Sequence, residues 1–399
     1  MDSLVPRDTQ EGPPVRGTRM SPTVLVFVET SREFGRGLLH GIAKYSRLHG
    51  HWRVYQRPVA LDSSLPDWRD MRIDGAIARD VRVAQGLTRS SFPVVFVQHS
   101  RDIYESFPGI ITDARSIGRM AAEHFLDRGF LDFAFCGFDQ FVWSRNRERF
   151  FRQRLEEEGF RVHIYVQSKT RGRRLWKNEQ HVLAKWLTSL PRPVALMACN
   201  DDRALQVVEA CKLAGLHVPD EIAVLGVDND VLVCDLSDPP ISSIALTTEA
   251  AGYAAAELLD RLMRGEKMTG QRIVVFATHI VTRTSTDITA VTDREVAAAV
   301  RFIRQHAEGA MQVGDVVNAT TVSRRVLENR FRVALRRSIH QEIQRMRVNH
   351  IIQLLVGTDM TIKEIARRSG FESPWHIARY FRRVTGLSLR EYRGRHAAR

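Results

Sequence analysis

No run of about 18 apolar residues, the length a membrane-spanning helix needs, occurs in this 399-residue chain. Nothing in it therefore reads as a membrane span. Cysteine is scarce: Cys136, Cys199, Cys211 and Cys234 show neither a Cys-x-x-Cys pair nor a Cys/His spacing. That argues against a structural zinc site or a disulfide framework. Cys136 and Cys199 fall inside apolar runs of strand length and read as reduced core residues. Common catalytic motifs are missing too. There is no P-loop, no Gly-x-Ser-x-Gly, no His-Glu-x-x-His and no Gly-x-Gly-x-x-Gly in a strand–helix setting, so nucleotide, acyl-transfer and metalloprotease chemistry have no anchor. No metal and no cofactor are expected. Residues 1–22 are rich in proline, glycine and charge and lack the apolar stretch of a secretory signal. They read as a disordered tail, and the protein as cytoplasmic.

Lysine nearly vanishes from the last quarter. From Arg294 to Arg399 there are 21 Lys plus Arg, of which only Lys363 is a lysine, against 9 Asp plus Glu. The whole chain carries +13, so the preceding residues are close to neutral. A neutral body joined to an arginine-rich end suggests one part that takes a small molecule and another that grips a polyanion, usually nucleic acid. Charge alone leaves a merely basic, solvated domain equally open.

Within the body, apolar runs of strand length alternate with amphipathic stretches of helical length. The strand candidates are Val24–Val28, Ile73–Ala78, Val94–Val97, Phe133–Gly137, Val162–Val166, Val194–Ala198, Ile222–Val227 and Ile273–Ala277. Continuous apolar runs indicate strands buried on both faces, as in a parallel sheet. The alternation predicts a doubly wound α/β fold, and some 260 residues suggest two lobes. Ligands of such sheets sit beyond the carboxyl ends of the strands. The polar residues there include Glu29 to Phe34, Asp113, Asp139, Trp143, Arg145, Arg147, Asn200, Asp201 and Asp228 to Asp230. Carboxylates, an amide and guanidinium groups can bind neighbouring hydroxyls, and an aromatic ring can stack on a sugar. The same residues have a local reading: Asp201 or Asp202 as a cap for a helix near Arg203, Asp228–Asp230 as an Asx turn. The pair Asp201/Asp202 could in principle do acid–base work, but capping or ligand binding explains it better.

The stretch CNDDRALQVVEACKLAGLHVPDEIAVLGVDND (Cys199–Asp230) resembles the sugar-binding core of LacI/GalR-type repressors. Asp238–Leu259 and Ile111–Phe130 fit neighbouring segments of that family. The resemblance implies a two-lobed periplasmic-binding-protein-like domain over residues 23–282, with the effector in the cleft. It implies effector contacts at Asp113, Arg147, Asn200 and Asp228, with Trp143 as a stacking residue; Asp201, next to Asn200, joins this set. Residues 1–22 show no helix-turn-helix pattern where those repressors carry one, so none is expected at this end.

The DNA-binding element is expected at the other end. Residues 283–293 (RTSTDITAVTD) lack an apolar period and read as a linker. A helix follows with Val296, Ala299, Val300 and Ile303 on one face. Two similar units come next, at 313–335 and 361–386, each a short helix, a tight break and a longer basic helix. Ser323 and Ser373 fit as caps of the second helices, and Phe331 and Phe381 follow each serine by the same interval. Between the units, Ile343, Met346, His350 and Leu354 form a stripe on a connecting helix. In a recognition helix, three or four side chains reach base edges. Arg324, Arg325 and Asn329 in the first unit, and Trp375, His376 and Arg379 in the second, occupy the outer face, opposite Val326, Leu327, Phe331, Ile377 and Phe381. Arg332, Arg336, Arg382 and Arg383, with Ser323 and Ser373, fall where phosphate contacts are expected.

The blocks TIKEIARRSGFES (Thr361–Ser373) and FRRVTGLSLREYR (Phe381–Arg393) are similar to the AraC/XylS-type DNA-binding domain, which implies an all-α domain with two helix-turn-helix units over 294–393. Thr321 stands where that family usually has a glycine, and His376 and Ile377 where an aromatic pair is common. A LacI-like body ahead of an AraC-type end resembles the XylR-type family of xylose-responsive regulators. The resemblance implies a transcription regulator rather than an enzyme. Its partners would be a double-stranded DNA operator, a small sugar (xylose or a related aldose), a second copy in a homodimer and, for an activator, RNA polymerase. A sugar-binding transport component and an enzyme acting on a sugar or nucleotide are the competing classes.

Overall fold

Two separate sheets each carry a packed core on both faces, which is why the apolar runs are buried on both sides. The structure is a computed structural model that describes residues 21–56, 71–79, 82–98, 107–167, 176–268, 270–288, 293–309, 311–335, 337–358 and 360–396. Residues 1–20 of the expected tail, 289–292 of the expected linker and Arg336 lie outside the described residues.

The first sheet contains β1 (Thr23–Phe27), β2 (Arg53–Gln56), β3 (Gly75–Arg79), β4 (Val94–Val97), β5 (Gly109–Thr112) and β11 (Arg272–Val275), in the order β11-β5-β4-β3-β1-β2 and parallel throughout. The second contains β6 (Asp132–Cys136), β7 (Val162–Ile164), β8 (Val194–Ala198), β9 (Ile222–Val227), β10 (Ser242–Leu246) and β12 (Ala277–Val281), in the order β12-β10-β9-β8-β6-β7. Only the β10–β12 pair is antiparallel among its described pairings. Helices α1 (Glu33–His49) and α7 (Thr248–Met263) pack on the first sheet, forming the first lobe. Helices α2 (Ala114–Leu126), α3 (Val142–Glu157), α4 (Trp176–Thr188), α5 (Asp201–Ala214) and α6 (Val231–Leu236) belong to the second.

The chain passes between lobes after β5, after β10 and between β11 and β12. The crossings are tied to each other: Asp113 N donates to Val275 O at 2.9 Å and Thr247 N to Phe276 O at 3.0 Å. The run Ile273–Ala277, expected as one strand, is therefore two, in different sheets, with Phe276 at the crossing. Both halves are apolar because both enter packed sheets, so the pattern carries no mark of the break. The expected linker is partly built into the second lobe. Thr284–Thr286 form a 3-10 turn with Ser285 and Thr286 buried, and Ser285 Oγ donates to Val224 O at 2.6 Å.

The carboxyl-terminal domain is all helical: α8 (Arg294–Gln305), α9 (Val313–Asn318), α10 (Arg324–Leu335), α11 (Ile339–Gly357), α12 (Ile362–Arg368), α13 (Pro374–Thr385) and α14 (Leu389–His396). Asp293 caps α8, accepting from Glu295 N and Val296 N. The expected face Val296, Ala299, Val300 and Ile303 is buried against Leu327 and Phe331. Helix α11 serves two cores. Ile339 and Ile343 enter the first unit, and Val348, Ile351, Leu354 and Leu355 the second. That division explains why its apolar residues do not keep to the single stripe read from the sequence.

Candidate effector cleft and DNA-binding face

A cavity of about 290 Å³ lies between the lobes, at the carboxyl ends of the strands. From the first lobe it is lined by Glu29, Phe34, Arg79 and Gln98 among others; from the second by Phe138, Phe141, Trp143, Arg147, Asn200 and Asp228. Trp143 and Phe141 stack at 11° with centroids 5.5 Å apart, and the Arg147 guanidinium lies 5.0 Å from the Trp143 ring centre. One wall is thus a rigid aromatic plate beside a cation, suited to the apolar face of a sugar with polar groups at its edge.

The floor is polar. Arg147 is 2% exposed; its Nη1 donates to Cys199 O at 2.5 Å and its Nη2 to Asp228 Oδ1 at 3.2 Å. Its buried Nε has no hydrogen-bond partner among the described residues. Burial pushes the Asp228 carboxyl up to about 6, against the pull of the Arg147 guanidinium. Asp228 and Asn229 have φ of 103° and 51°, a left-handed conformation costly for residues other than glycine. Their turn is held by Asn229 N donating to Ser243 Oγ at 3.0 Å and by Arg283 Nη1 donating to Asn229 Oδ1 at 3.1 Å. Across the cavity, Arg79 Nε donates to Glu29 Oε2 at 2.8 Å, Arg79 Nη1 donates to Gln98 O at 3.0 Å, and the guanidinium covers the Phe34 ring.

Trp143, Arg147, Asn200, Asp201 and Asp228 converge on this cavity as expected positions, whereas Asp113 does not line it. Asp113 caps α2, its Oδ1 accepting from Ser116 N at 3.1 Å. Arg145 is exposed and donates to Asp139 O. The cap of α5 is Asn200, accepting from Arg203 N at 3.0 Å, and not Asp201 or Asp202. Asp201 is 2% exposed, with both oxygens engaged by protein: Oδ1 by the Ser243 hydroxyl at 2.5 Å, Oδ2 by Asp230 N at 2.7 Å. Burial raises its carboxyl well above the usual range, and the nearby Asp228 adds to this. Arg79 and Gln98 also line the cavity, outside the expected positions. A cation closing the otherwise apolar strand Gly75–Arg79 is the signal that could have found Arg79.

In the carboxyl-terminal domain the expected outer residues do lie outside. Arg324, Arg325, Asn329, Arg332, Trp375, His376, Arg379, Arg382 and Arg383 are exposed, while Leu327, Phe331, Ile377 and Phe381 are buried. Val326, expected inside, is 39% exposed. Trp375 is 63% exposed and lies 5.5 Å from the Arg379 guanidinium. Ser373 caps α13 by accepting from His376 N; Ser323 precedes α10, its carbonyl accepting from Leu327 N. In the second unit Gly370, at φ 68°, makes the turn. In the first, Thr321 needs no left-handed backbone, and its N–H donates to Glu295 Oε2 of α8 at 2.7 Å.

The second lobe also meets the carboxyl-terminal domain through buried charge. Arg337 donates to Asp127 Oδ1 at 3.1 Å and to Asp127 O at 2.7 Å, and Arg345 pairs with Asp127 Oδ2. Both arginines also bind Glu342, which is fully buried. Beside them Arg128 Nη1 donates to His124 Nδ1, and burial together with the Arg128 charge holds the imidazole neutral. Gln353 of α11 donates to Ile280 O of β12 at 3.4 Å.

Residues 122–286 match the model of a periplasmic binding protein-like domain, and residues 316–395 that of a helix-turn-helix domain. The chain is 31% identical over 381 residues to the xylose operon regulatory protein of Escherichia coli strain K12, covering 93% of this chain and 96% of that protein. It is 32% identical over 379 residues to the xylose operon regulatory protein of Haemophilus influenzae strain Rd, covering 93% and 97%. A solved structure of the xylose-binding transcription activator xylR superposes with a TM-score of 0.60 at 29% identity, covering 95% of this chain and 99% of that one.

Proposed function

The chain belongs to the family of xylose operon regulatory proteins, and from that premise we propose that a small aldose, xylose or a close pentose relative, binds the cleft and sets how the chain occupies its operator. The observation that carries this reading is the pairing, on one chain, of an aromatic-walled polar cavity with two exposed arginine-bearing helices. In it Trp143 stacks on the sugar ring. Arg147, Asn200 and Asp228 from one lobe, with Glu29 and Arg79 from the other, take the hydroxyls. Ligands that touch both lobes favour the closed cleft by their differential affinity alone. Asp113 acts from behind, through the start of α2.

On the DNA side, Arg324, Arg325 and Asn329 of α10 and Trp375, His376 and Arg379 of α13 reach base edges; arginine can bond guanine twice and asparagine adenine. Arg332, Arg382 and Arg383, with Ser323 and Ser373, hold phosphates. The body spans 23–282 and the DNA-binding domain 294–393, joined through 283–293. The chain acts in the cytoplasm as a homodimer, meets RNA polymerase where it activates, and catalyses no reaction.

The test is a gel-shift titration of the full chain on DNA upstream of neighbouring sugar genes, with and without a panel of pentoses and hexoses. Retardation should be sequence-selective, and the preferred pentose should shift its midpoint by about 5- to 150-fold. Arg325→Ala and Arg379→Ala should each weaken binding by about 1–3 kcal/mol and relax selectivity at one base position. Sugar binding with no retardation on any sequence at moderate salt would reduce the protein to a sugar-binding module.

A further inference from the structure

Helix α1 lacks a cap of its own. Its first flanking residue, Arg32, is extended and makes no side-chain capping bond. The missing acceptor comes from the other lobe: Asp230 Oδ2 accepts from Glu33 N, the first amide of α1, at 3.0 Å. Asp230 Oδ1 accepts from Arg36 Nη2, one turn along the same helix, at 2.8 Å. Asp230 is 2% exposed, so both contacts are shielded from solvent at the carboxylate. A second cross-cleft pair, Arg32 Nε to Asp202 Oδ2 at 2.7 Å, lies alongside and is more open to water.

Asp230 does not hold this position unaided. Its own N–H donates to Asp201 Oδ2 at 2.7 Å, and Asp201 Oδ1 takes the Ser243 hydroxyl. Gly226 leaves the room Asp201 needs, because a Cβ there would stand 2.2 Å from Asp201 Oδ1. Asp201 thus spends both oxygens on protein donors, and its position has a use beyond any ligand: it fixes the loop that delivers Asp230 to α1.

We propose that Asp230 is a positioning residue that latches the two lobes by capping α1 from across the cleft, with Arg36 as its clamp and Asp201 as its support. A carboxylate at a helix amino terminus satisfies an orphan amide and meets the positive end of the helix dipole. The contact exists only when the lobes are together, so it adds to closure whatever occupies the cavity. Sugar affinity then contains a part that no sugar hydroxyl supplies. This rests on the reading of the cleft as a sugar site, but the latch itself is independent of it.

Arg36 makes the test clean, since it is not among the residues lining the cavity. Full-length wild type, Arg36→Met, Asp230→Ala and the double variant are titrated calorimetrically with a panel of aldoses. Lobe separation without sugar is followed in parallel by a distance probe, one label on each lobe. A helix cap contributes enough that each single variant should lose about 3- to 30-fold in affinity for every aldose bound. The order of preference among aldoses should stay as in wild type, and the double variant should lie within about twofold of Asp230→Ala. The sugar-free distance distribution should shift toward open in both singles. Sugar affinity of Arg36→Met within twofold of wild type, or an unshifted distance distribution, would overturn the latch. A changed order of preference in Asp230→Ala would instead make Asp230 a sugar contact and defeat the proposal. Wild type that binds no aldose would defeat the sugar reading, while the distance measurement still decides the latch.

Discussion

Two junctions divide this molecule, and they are built from the same residue types in opposite ways. Between the lobes, the outer pair Arg32–Asp202 keeps 48% and 26% of its side chains exposed. Between the second lobe and the DNA-binding domain, Glu342 is at 0% and Asp127 at 12%. Water can take up either member of an exposed pair when it breaks, so such pairs contribute little and part easily. A buried pair that loses one member leaves a charge with nothing to solvate it. The rim of the cleft is thus built to part, with the shielded Asp230 carboxylate as its hold, while the lower junction rests on a cluster of shielded charges.

The largest effect should come from breaking the buried junction. Glu342→Ala leaves Arg337 and Arg345 sharing Asp127 alone and should cost about 3–5 kcal/mol. Asp127→Ala attacks the same cluster from the lobe side without touching the core of α11. In both, calorimetry should record unchanged aldose affinity, while gel shifts lose their sugar dependence; retained sugar dependence in both would show that the signal takes another route. Next in size is the cleft floor. Arg147→Met removes the partner of Asp228 and should weaken aldose binding by about 2–5 kcal/mol in the same titration.

The third prediction concerns pH. Asp228 is raised from 3.8 to about 6 by burial, with Arg147 and Arg79 opposing that shift and Asp202 adding to it. A sugar hydroxyl donates to the carboxylate form, so affinity should fall as pH drops through about 6, by at most tenfold per unit. Stability runs the other way. A raised carboxyl favours the fold most below its unfolded value, and that contribution is lost as pH rises through about 6. Asp228→Asn should flatten the affinity profile around pH 6 and the stability profile between about 4 and 6, as titration and thermal unfolding would report. The smallest effect belongs to the exposed rim: Arg32→Ala should change aldose affinity by about 0.2–1 kcal/mol and lose even that in high salt.

Much of this was legible from residue patterns. Strands such as Val194–Ala198 are buried on both faces and announce themselves by unbroken apolar runs. Phe331 and Phe381 announce two equivalent units by their equal distance from a serine. The site was legible only in part. Asp201 and Asp228 sit at equivalent strand ends, look alike in sequence and both line the cavity, yet Asp201 has both oxygens engaged by Ser243 and Asp230. The difference is made by Gly226 and by a left-handed turn at Asp228–Asn229, neither of which periodicity can see. The Asp127 cluster was invisible for a related reason: its members are about 210 residues apart, and each alone resembles an ordinary surface charge.

Helix α2 starts at the crossing beside the cavity and ends one residue before Asp127. Its 13 residues form a bar of about 20 Å that leads from the crossing to the Asp127 cluster, where Arg337 and Arg345 meet it. A turn of that bar by about 5° would carry its far end, and the arginines clamped to it, through about 2 Å. The instrument this resembles is a pair of callipers: a small change of angle at the sugar becomes a readable change of span on the duplex.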